Sequence, residues 1–221
     1  MGKRNLIEVI KSRRSVRRFL DKPVNKRHLE QILDAARLAP SGGNLQGWRF
    51  IVLQQRNMIE QIESIIKKKI DELPETMKDS IDNSDYFSSL LANRLQSSSL
   101  FFSSAPITIA VLYKPNPYNK PYLEFLMQKG LNRHDAHQRM GYVEIQSVAA
   151  ATENLILAAH SLGYGSCWMN VPFIAVKEIK ELLGISHPWD ISAFVPVGHP
   201  DPSWSAPAIR KKRLDEIVIF R

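Results

Sequence analysis

The chain has 221 residues, 44% hydrophobic and 24% charged, with 30 Lys+Arg against 22 Asp+Glu for a net charge of +8. That length and balance support one sizeable buried core and exclude a chain disordered throughout. A single cysteine excludes an internal disulfide, and no apolar run approaches the ~20 residues a membrane-spanning helix needs.

Residues 5–12 read as a short helix with Leu6, Ile7, Val9 and Ile10 on its apolar stripe. A dense basic run, RRSVRRF, occupies residues 13–19. Pro23 and Asn25 mark a turn, and Asn25 is the expected N-cap of an amphipathic helix over 26–38, with Leu29, Ile32, Leu33 and Ala36 at helical spacing. The cluster Pro40, Ser41, Gly42, Gly43 ends that helix. WRFIVL at 48–53 predicts a strand, and 57–71 predicts a second amphipathic helix.

From 73 to 104 the chain is polar and serine-rich, with aromatics at Tyr86, Phe87, Phe101 and Phe102, and predicts a helix flanked by mobile loops. APITIAVLY at 105–113 reads as a buried strand, and KPNPYNKPY at 114–122, with three prolines, as a loop. Residues 141–162 form a long Ala-rich pattern, apolar nearly all round, which predicts a buried helix with Gly163 at its C′ position. GYGSCWM then enters a short extended segment, 175–183 predicts a helix, and ISAFVPVGHP a strand. EIVIF at 216–220 reads as a terminal strand at the end of a proline-containing arm. The regular βαβ rhythm is missing, so the expected fold is a single α+β domain over 1–221.

Several chemistries are excluded by pattern. There is no Walker loop and no nucleophile elbow, and GYGSCW follows a helix and lacks the third glycine of a dinucleotide fingerprint. His134 and His137 in HDAH lack a third placed ligand, so a polar turn is expected there rather than a metal site.

Two stretches carry positive signals. In an extended RRSVRRF, Arg13, Ser15 and Arg17 project to one side, and guanidinium forks beside a hydroxyl suit a phosphate dianion. The same run also suits a solvated basic helix end. PSGGNLQGW at 40–48 supplies a loop whose backbone can approach a flat ligand closely, with Asn44 and Gln46 adding amide groups; a plain helix stop is the other reading.

RRSVRRF, APSGGNLQGWRF, LGYGSCWM, VPVGHPD and RKKRL together, in that order, resemble the nitroreductase family of FMN enzymes. The resemblance spans nearly the whole chain and is weakest over 73–104 and 118–138. Gly47 departs from the proline common in the family, and the cations Lys211 and Arg213 fall where the family varies. The resemblance implies a small, mostly antiparallel sheet surrounded by helices, with a C-terminal arm swapped in a homodimer.

It also implies FMN as cofactor. Arg13, Ser15, Lys211 and Arg213 would hold the phosphate and ribityl end, with Arg14 in the same motif, and Arg17 would reach the pyrimidine side of the ring. Ser41, Gly42 and Asn44 would reach the flavin from the partner subunit, and Trp168, Met169 and Asn170 would lie along the ring. NADH or NADPH would give a hydride to the flavin, and a small aromatic or quinone-like acceptor would take the electrons. This needs no catalytic side chain, and Cys167 is not expected to be a nucleophile because nothing near it in sequence lowers its pKa. A cytoplasmic protein without nucleic-acid or membrane partners is expected. The competing expectations are a relative that cleaves its own flavin with oxygen, a non-enzymatic flavin carrier or sensor, and a basic nucleic-acid-binding module.

Overall fold

The structure, a computed structural model, describes residues 5–77, 93, 95, 96, 99–117, 119–170, 174–206 and 210–221. In chain order the elements are α1 (Leu6–Ser12), α2 (Lys26–Arg37), β1 (Trp48–Leu53), α3 (Arg56–Met77), β2 (Ile107–Tyr113), α4 (Lys120–Gln128), α5 (Arg133–Arg139), α6 (Val143–Ser161), β3 (Gly165–Ser166), α7 (Val176–Leu182) and β4 (Asp190–Gly198).

The strands form one antiparallel sheet in the order β1-β2-β4-β3. β2 lies inside it and is buried along nearly its whole length, which is why its sequence, ITIAVLY, is a continuous apolar run rather than an alternation. Ile107, Ile109 and Val111 face one way, with Val195 and Val197 of β4, and pack on α2 through Ile32 and Ala36 and on α6 through Val148, Leu155 and Ala159. Ala110 and Leu112 face the other way, with Phe194 and Ile191, onto the Ile59, Ile62, Ile66 and Ile70 stripe of α3, Ile179 of α7 and Phe102. The result is a sheet between two helical layers, with each fully buried large side chain contributing about 1.5–3 kcal/mol.

Asn25 caps α2 as expected, its Oδ1 accepting the His28 N–H at 3.2 Å. Asn5 caps α1 in a reciprocal pair with Glu8. α6 buries Val148, Ala151, Leu155 and Ala159 while Ile145 near its start is exposed, so it is buried along one broad face rather than all round. Its small residues let α2 approach closely enough for Asn154 Nδ2 to donate to the Ala35 carbonyl at 3.1 Å.

Three sequence expectations need correction. The 114–122 loop is shorter than expected, because Pro121 sits in the first turn of α4, where its missing N–H costs nothing. HDAH lies within α5, a helix capped by Asn132, rather than in a turn. The terminal strand is absent: Leu214–Glu216 form a single 3-10 turn and 217–221 are irregular. A strand needs an edge to pair with, and this arm packs against no sheet within its own chain. The helix expected between 73 and 104, and the aromatics Tyr86, Phe87 and Tyr118, lie largely outside the described residues.

Candidate functional site

α1 ends at Ser12, and the chain turns extended at Arg13, with φ −58° and ψ 134°. Arg14 folds back, its Nη1 donating to the carbonyls of Lys11 and Arg13 at 2.8 Å each. It therefore closes the helix end, whose last carbonyls otherwise lack partners. Ser15 pairs in parallel with Ser166, and Val16 N donates to Ser166 O at 2.9 Å. Val16 and Phe19 point inward onto Ala105. By alternation about the buried Val16, Ser15 and Arg17 point the opposite way, and the inward position of Phe19 shows that the alternation ends after Arg17.

This strap lies flat on β3 only because residue 165 is glycine. A Cβ there would sit 2.7–2.8 Å from three atoms of Val16. A few residues on, Phe19 pairs with Pro200 and Leu20 N donates to His199 O at 2.9 Å, so the strap is stitched to β3 and to the end of β4.

The strap pairs with Ser166 through Ser15 and Val16, one residue before Cys167, whose thiol feels the charges of Arg13 and Arg17. Burial pushes that thiol up from its ordinary value, opposed by the Arg17 guanidinium, a hydrogen bond with Ser15 and the Arg13 charge. Burial outweighs these neighbours, which disfavours the thiolate. Arg17 also stands 5.8 Å over the Phe101 ring. Among the described residues no carboxylate lies within ion-pair distance of Arg13 or Arg17. Two cations and a hydroxyl held beside a buried thiol, without a carboxylate between them, are what an anionic ligand group requires.

Beyond Cys167 the chain continues along β4. Met169 exchanges both backbone hydrogen bonds with Phe194 at 2.9 Å, and its side chain is buried. The backbone groups of Trp168 and Asn170 therefore face away from β4, and the Trp168 side chain is 40% exposed. This gives an open apolar shelf beside the cationic strap.

The loop before β1 is locked by its own residues. Ser41 Oγ accepts the Gln46 N–H at 3.0 Å, and Gln46 Nε2 donates to Asn44 Oδ1 at 3.1 Å. Gly43, Asn44 and Gln46 hold positive φ of 60°, 54° and 48°. β1 and β3 are opposite edges of the sheet, about 14 Å apart at ~4.8 Å per strand. One chain thus does not bring Ser41, Gly42 and Asn44 to Arg13. Of the C-terminal cations, Arg213 pairs with Asp215 at 2.5 Å and Lys211 is exposed, and Ile219 and Phe220 beyond them are 80% and 90% exposed.

Sequence reasoning missed the cluster that anchors the strap. Tyr164 is buried, its hydroxyl accepting the Asn25 N–H at 3.2 Å and lying 3.0 Å from His28 Nδ1, and its ring lies 4.9 Å from that of His199. No local pattern links positions 28, 164 and 199. Burial, followed by the Lys22 charge, holds His199 below its ordinary value of 6.5, while a bond to the Pro23 carbonyl opposes the shift. A depressed histidine stabilises the fold above pH 6.5, and that stability is lost as pH falls from 6.5 through the folded-state value. His199→Gln should flatten the acid side of a stability–pH curve measured by urea unfolding; a curve parallel to the parent protein's would contradict this. His134 and His137 flank Tyr142, and among the described residues no group of three His, Cys, Asp or Glu is placed to hold a metal ion.

The fold and the anion-ready strap define an α+β domain of the kind found in flavin oxidoreductases, and the model of the Nitroreductase family matches residues 10–199. The chain belongs to the nitroreductase family. A BluB-like flavoprotein from Clostridium difficile 630 superposes with a TM-score of 0.85 at 30% identity, covering 99% of each chain. A nitroreductase from Bacteroides fragilis NCTC 9343, solved with bound FMN, gives 0.67 at 21% identity, covering 99% of this chain and 100% of the other. A protein of Archaeoglobus fulgidus, provisionally named NADH dehydrogenase/NAD(P)H nitroreductase, is 30% identical over 196 residues, 88% of this chain and 84% of its own. The iodotyrosine deiodinase 1 of Mus musculus is 23% identical over 221 residues, 99% of this chain and 70% of its own.

Proposed function

We propose that the protein is an FMN-dependent oxidoreductase that takes electrons from NADH or NADPH and passes them to a small aromatic or quinone-like acceptor, working as a homodimer. The observation that carries this is the strap bearing Arg13, Ser15 and Arg17, laid on β3 by the Ser15–Ser166 pairing and the Val16 N–Ser166 O bond, with no carboxylate among the described residues in ion-pair distance of either arginine. These residues fit the cofactor: a forked cation and a hydroxyl suit its phosphate, a second cation suits its ring, and the glycine-permitted strap and open Trp168 shelf give a planar body a place to lie. Bound FMN supplies the two-electron relay between nicotinamide and acceptor.

The chain's own residues bind and orient. Arg13 and Ser15 hold the anionic end, and Arg17 places positive charge where the reduced ring carries negative charge. The outward backbone N–H of Trp168 or Asn170 is the donor available to a ring nitrogen, since that of Met169 is engaged by Phe194. A second copy supports the reading in two ways. Its Ser41–Asn44 loop would meet the shelf that the first chain's loop does not reach. Its body would cover the exposed arm and present Lys211 and Arg213 to the phosphate end.

Deletion of residues 215–221 removes Ile217, Ile219 and Phe220, which are 62%, 80% and 90% exposed. At ~1.5–3 kcal/mol per buried side chain, the dimer Kd should rise at least about a hundredfold in sedimentation velocity. A truncated dimer as tight as the full-length one would exclude the swapped arm.

The function is tested on freshly purified protein. A yellow sample that bleaches on anaerobic NADPH or NADH and recovers with benzoquinone or a nitroarene supports the reading. A colourless monomer that takes up no added FMN removes it. Bleaching without turnover of any acceptor would indicate a carrier, and destruction of the flavin in air would indicate the flavin-consuming branch.

A further inference from the structure

A cavity of about 80 Å3, partly open, lies between three segments: the loop before β1 (Ser41, Gly42, Trp48), the turn after β2 (Pro115, Asn116) and the start of α6 (Val143, Glu144, Ser147). Three features mark it as built rather than left over. Gly42 is there because a Cβ would meet Val143 Cγ2 at 2.7 Å, and Gly42 N donates to Ser147 Oγ at 3.3 Å, so two walls are joined across one edge. Among the described residues the non-glycines with positive φ are Asn44, Gln46 and Tyr142, and each adjoins in sequence a residue that lines the cavity, Leu45 for the first two and Val143 for the third. Strained backbone of this kind persists where the surroundings over-determine it, and it gathers at ligand sites. Glu144 lines the cavity with a half-used carboxylate: Oε1 accepts Asn116 N at 3.0 Å and Asn119 Nδ2 at 3.3 Å, while Oε2 accepts nothing from the described residues. The one cation on the wall, Lys114, directs its ammonium over the Trp189 ring 5.3 Å away. Glu144 is therefore the lining charge left without a counter-ion among the described residues, and its field also reaches Tyr113, whose hydroxyl is pushed up by burial first and by Asp190 and Glu144 after it.

We propose that this cavity is a specificity subsite that takes a primary ammonium on a short apolar arm of the acceptor, paired with Glu144. The volume decides the size of the group. It is about half the ~150 Å3 at which an apolar cavity accepts benzene, so an aminomethyl group enters while its ring stays at the rim beside Ser41 and Trp48. The polar atoms suit an ammonium, which needs acceptors on several sides once desolvated: the free Glu144 oxygen and the Ser41 hydroxyl provide them. The role as an acceptor subsite rests on the oxidoreductase reading, because Ser41 and Gly42 belong to the loop assigned to the flavin of a partner.

The test uses the FMN-loaded protein and two readouts. Calorimetric binding of benzylamine, which is not reduced, should be about tenfold or more tighter than that of benzyl alcohol, and Glu144→Gln should remove the difference. In turnover, the ratio of kcat/KM for 4-nitrobenzylamine to that for 4-nitrobenzyl alcohol should fall about tenfold in Glu144→Gln. Equal affinity for amine and alcohol in the parent protein, tighter binding of benzoate, or a ratio unchanged by the substitution overturns the proposal. Binding of benzylamine to a protein that shows no flavin turnover would keep the site and remove only its role in that reaction.

Discussion

Arg13→Ala is expected to raise the Kd for FMN about 30- to 150-fold, the ~2–3 kcal/mol that a charge-assisted, two-pronged contact with a phosphate is worth. The magnitude rests on the side chain's surroundings. Arg13 is half-buried at the point where α1 ends, its backbone N–H held by Val9 O at 3.0 Å, so the guanidinium springs from a fixed point. With no carboxylate partner among the described residues, it has no alternative use that would offset its loss. Arg13→Lys should recover only part of the affinity, because a point charge replaces a fork. Arg14→Ala is the internal contrast. Its guanidinium serves the carbonyls of Lys11 and Arg13, so it should lower the melting temperature and change FMN affinity much less. Fluorescence titration of the apoprotein with FMN separates the two variants. Equal flavin affinity in Arg13→Ala and the parent would withdraw the phosphate clamp.

Gly165→Ala should destabilise the fold by about 1–3 kcal/mol in urea unfolding and weaken FMN binding about tenfold in the same protein. The added methyl would stand 2.7–2.8 Å from the Cβ and both γ-carbons of Val16, a branched side chain that is itself buried and cannot swing aside. Relief must come from the backbone, so the strap lifts from β3 and carries Ser15 and Arg17 with it. The link between stability and affinity is the discriminating feature. A Val16→Ala, Gly165→Ala double variant restores room, and its combined cost should be smaller than the sum of the two single costs, a coupling expected only for side chains in contact. Strict additivity would show that the close approach of strap and sheet is not what requires glycine.

Much of the architecture was legible because local physics and tertiary packing agree. The α2 boundaries follow from Asn25 at one end and the Pro40–Gly43 cluster at the other, and the burial of β2 follows from an apolar run with no polar alternation. Two elements misled for identifiable reasons. The prolines of 114–122 suggest a loop, but Pro121 occupies the one helical turn that tolerates it. EIVIF has strand composition, yet strand propensity expresses itself only where an edge offers backbone partners.

The candidate site divides in the same way. Arg13, Ser15 and Arg17 could be read as one face of an extended segment because period-two alternation is a local property, visible in seven consecutive residues. Their meeting with Cys167, the need for glycine at 165, the Tyr164 anchor between His28 and His199, and the Glu144 cavity could not. Each joins positions more than a hundred residues apart or depends on a contact distance, and no pattern along the chain encodes either. The sequence by itself determined α1, α2, α3, α6 and α7, the buried central strand, the cationic strap and the family. Tertiary structure alone decided which cations stand without carboxylates among the described residues, that Arg14 closes a helix end, and that the Ser41–Asn44 loop and the strap lie on opposite edges of one sheet. Sheet order and side-chain proximity are set by non-local burial, which depends on the whole core at once.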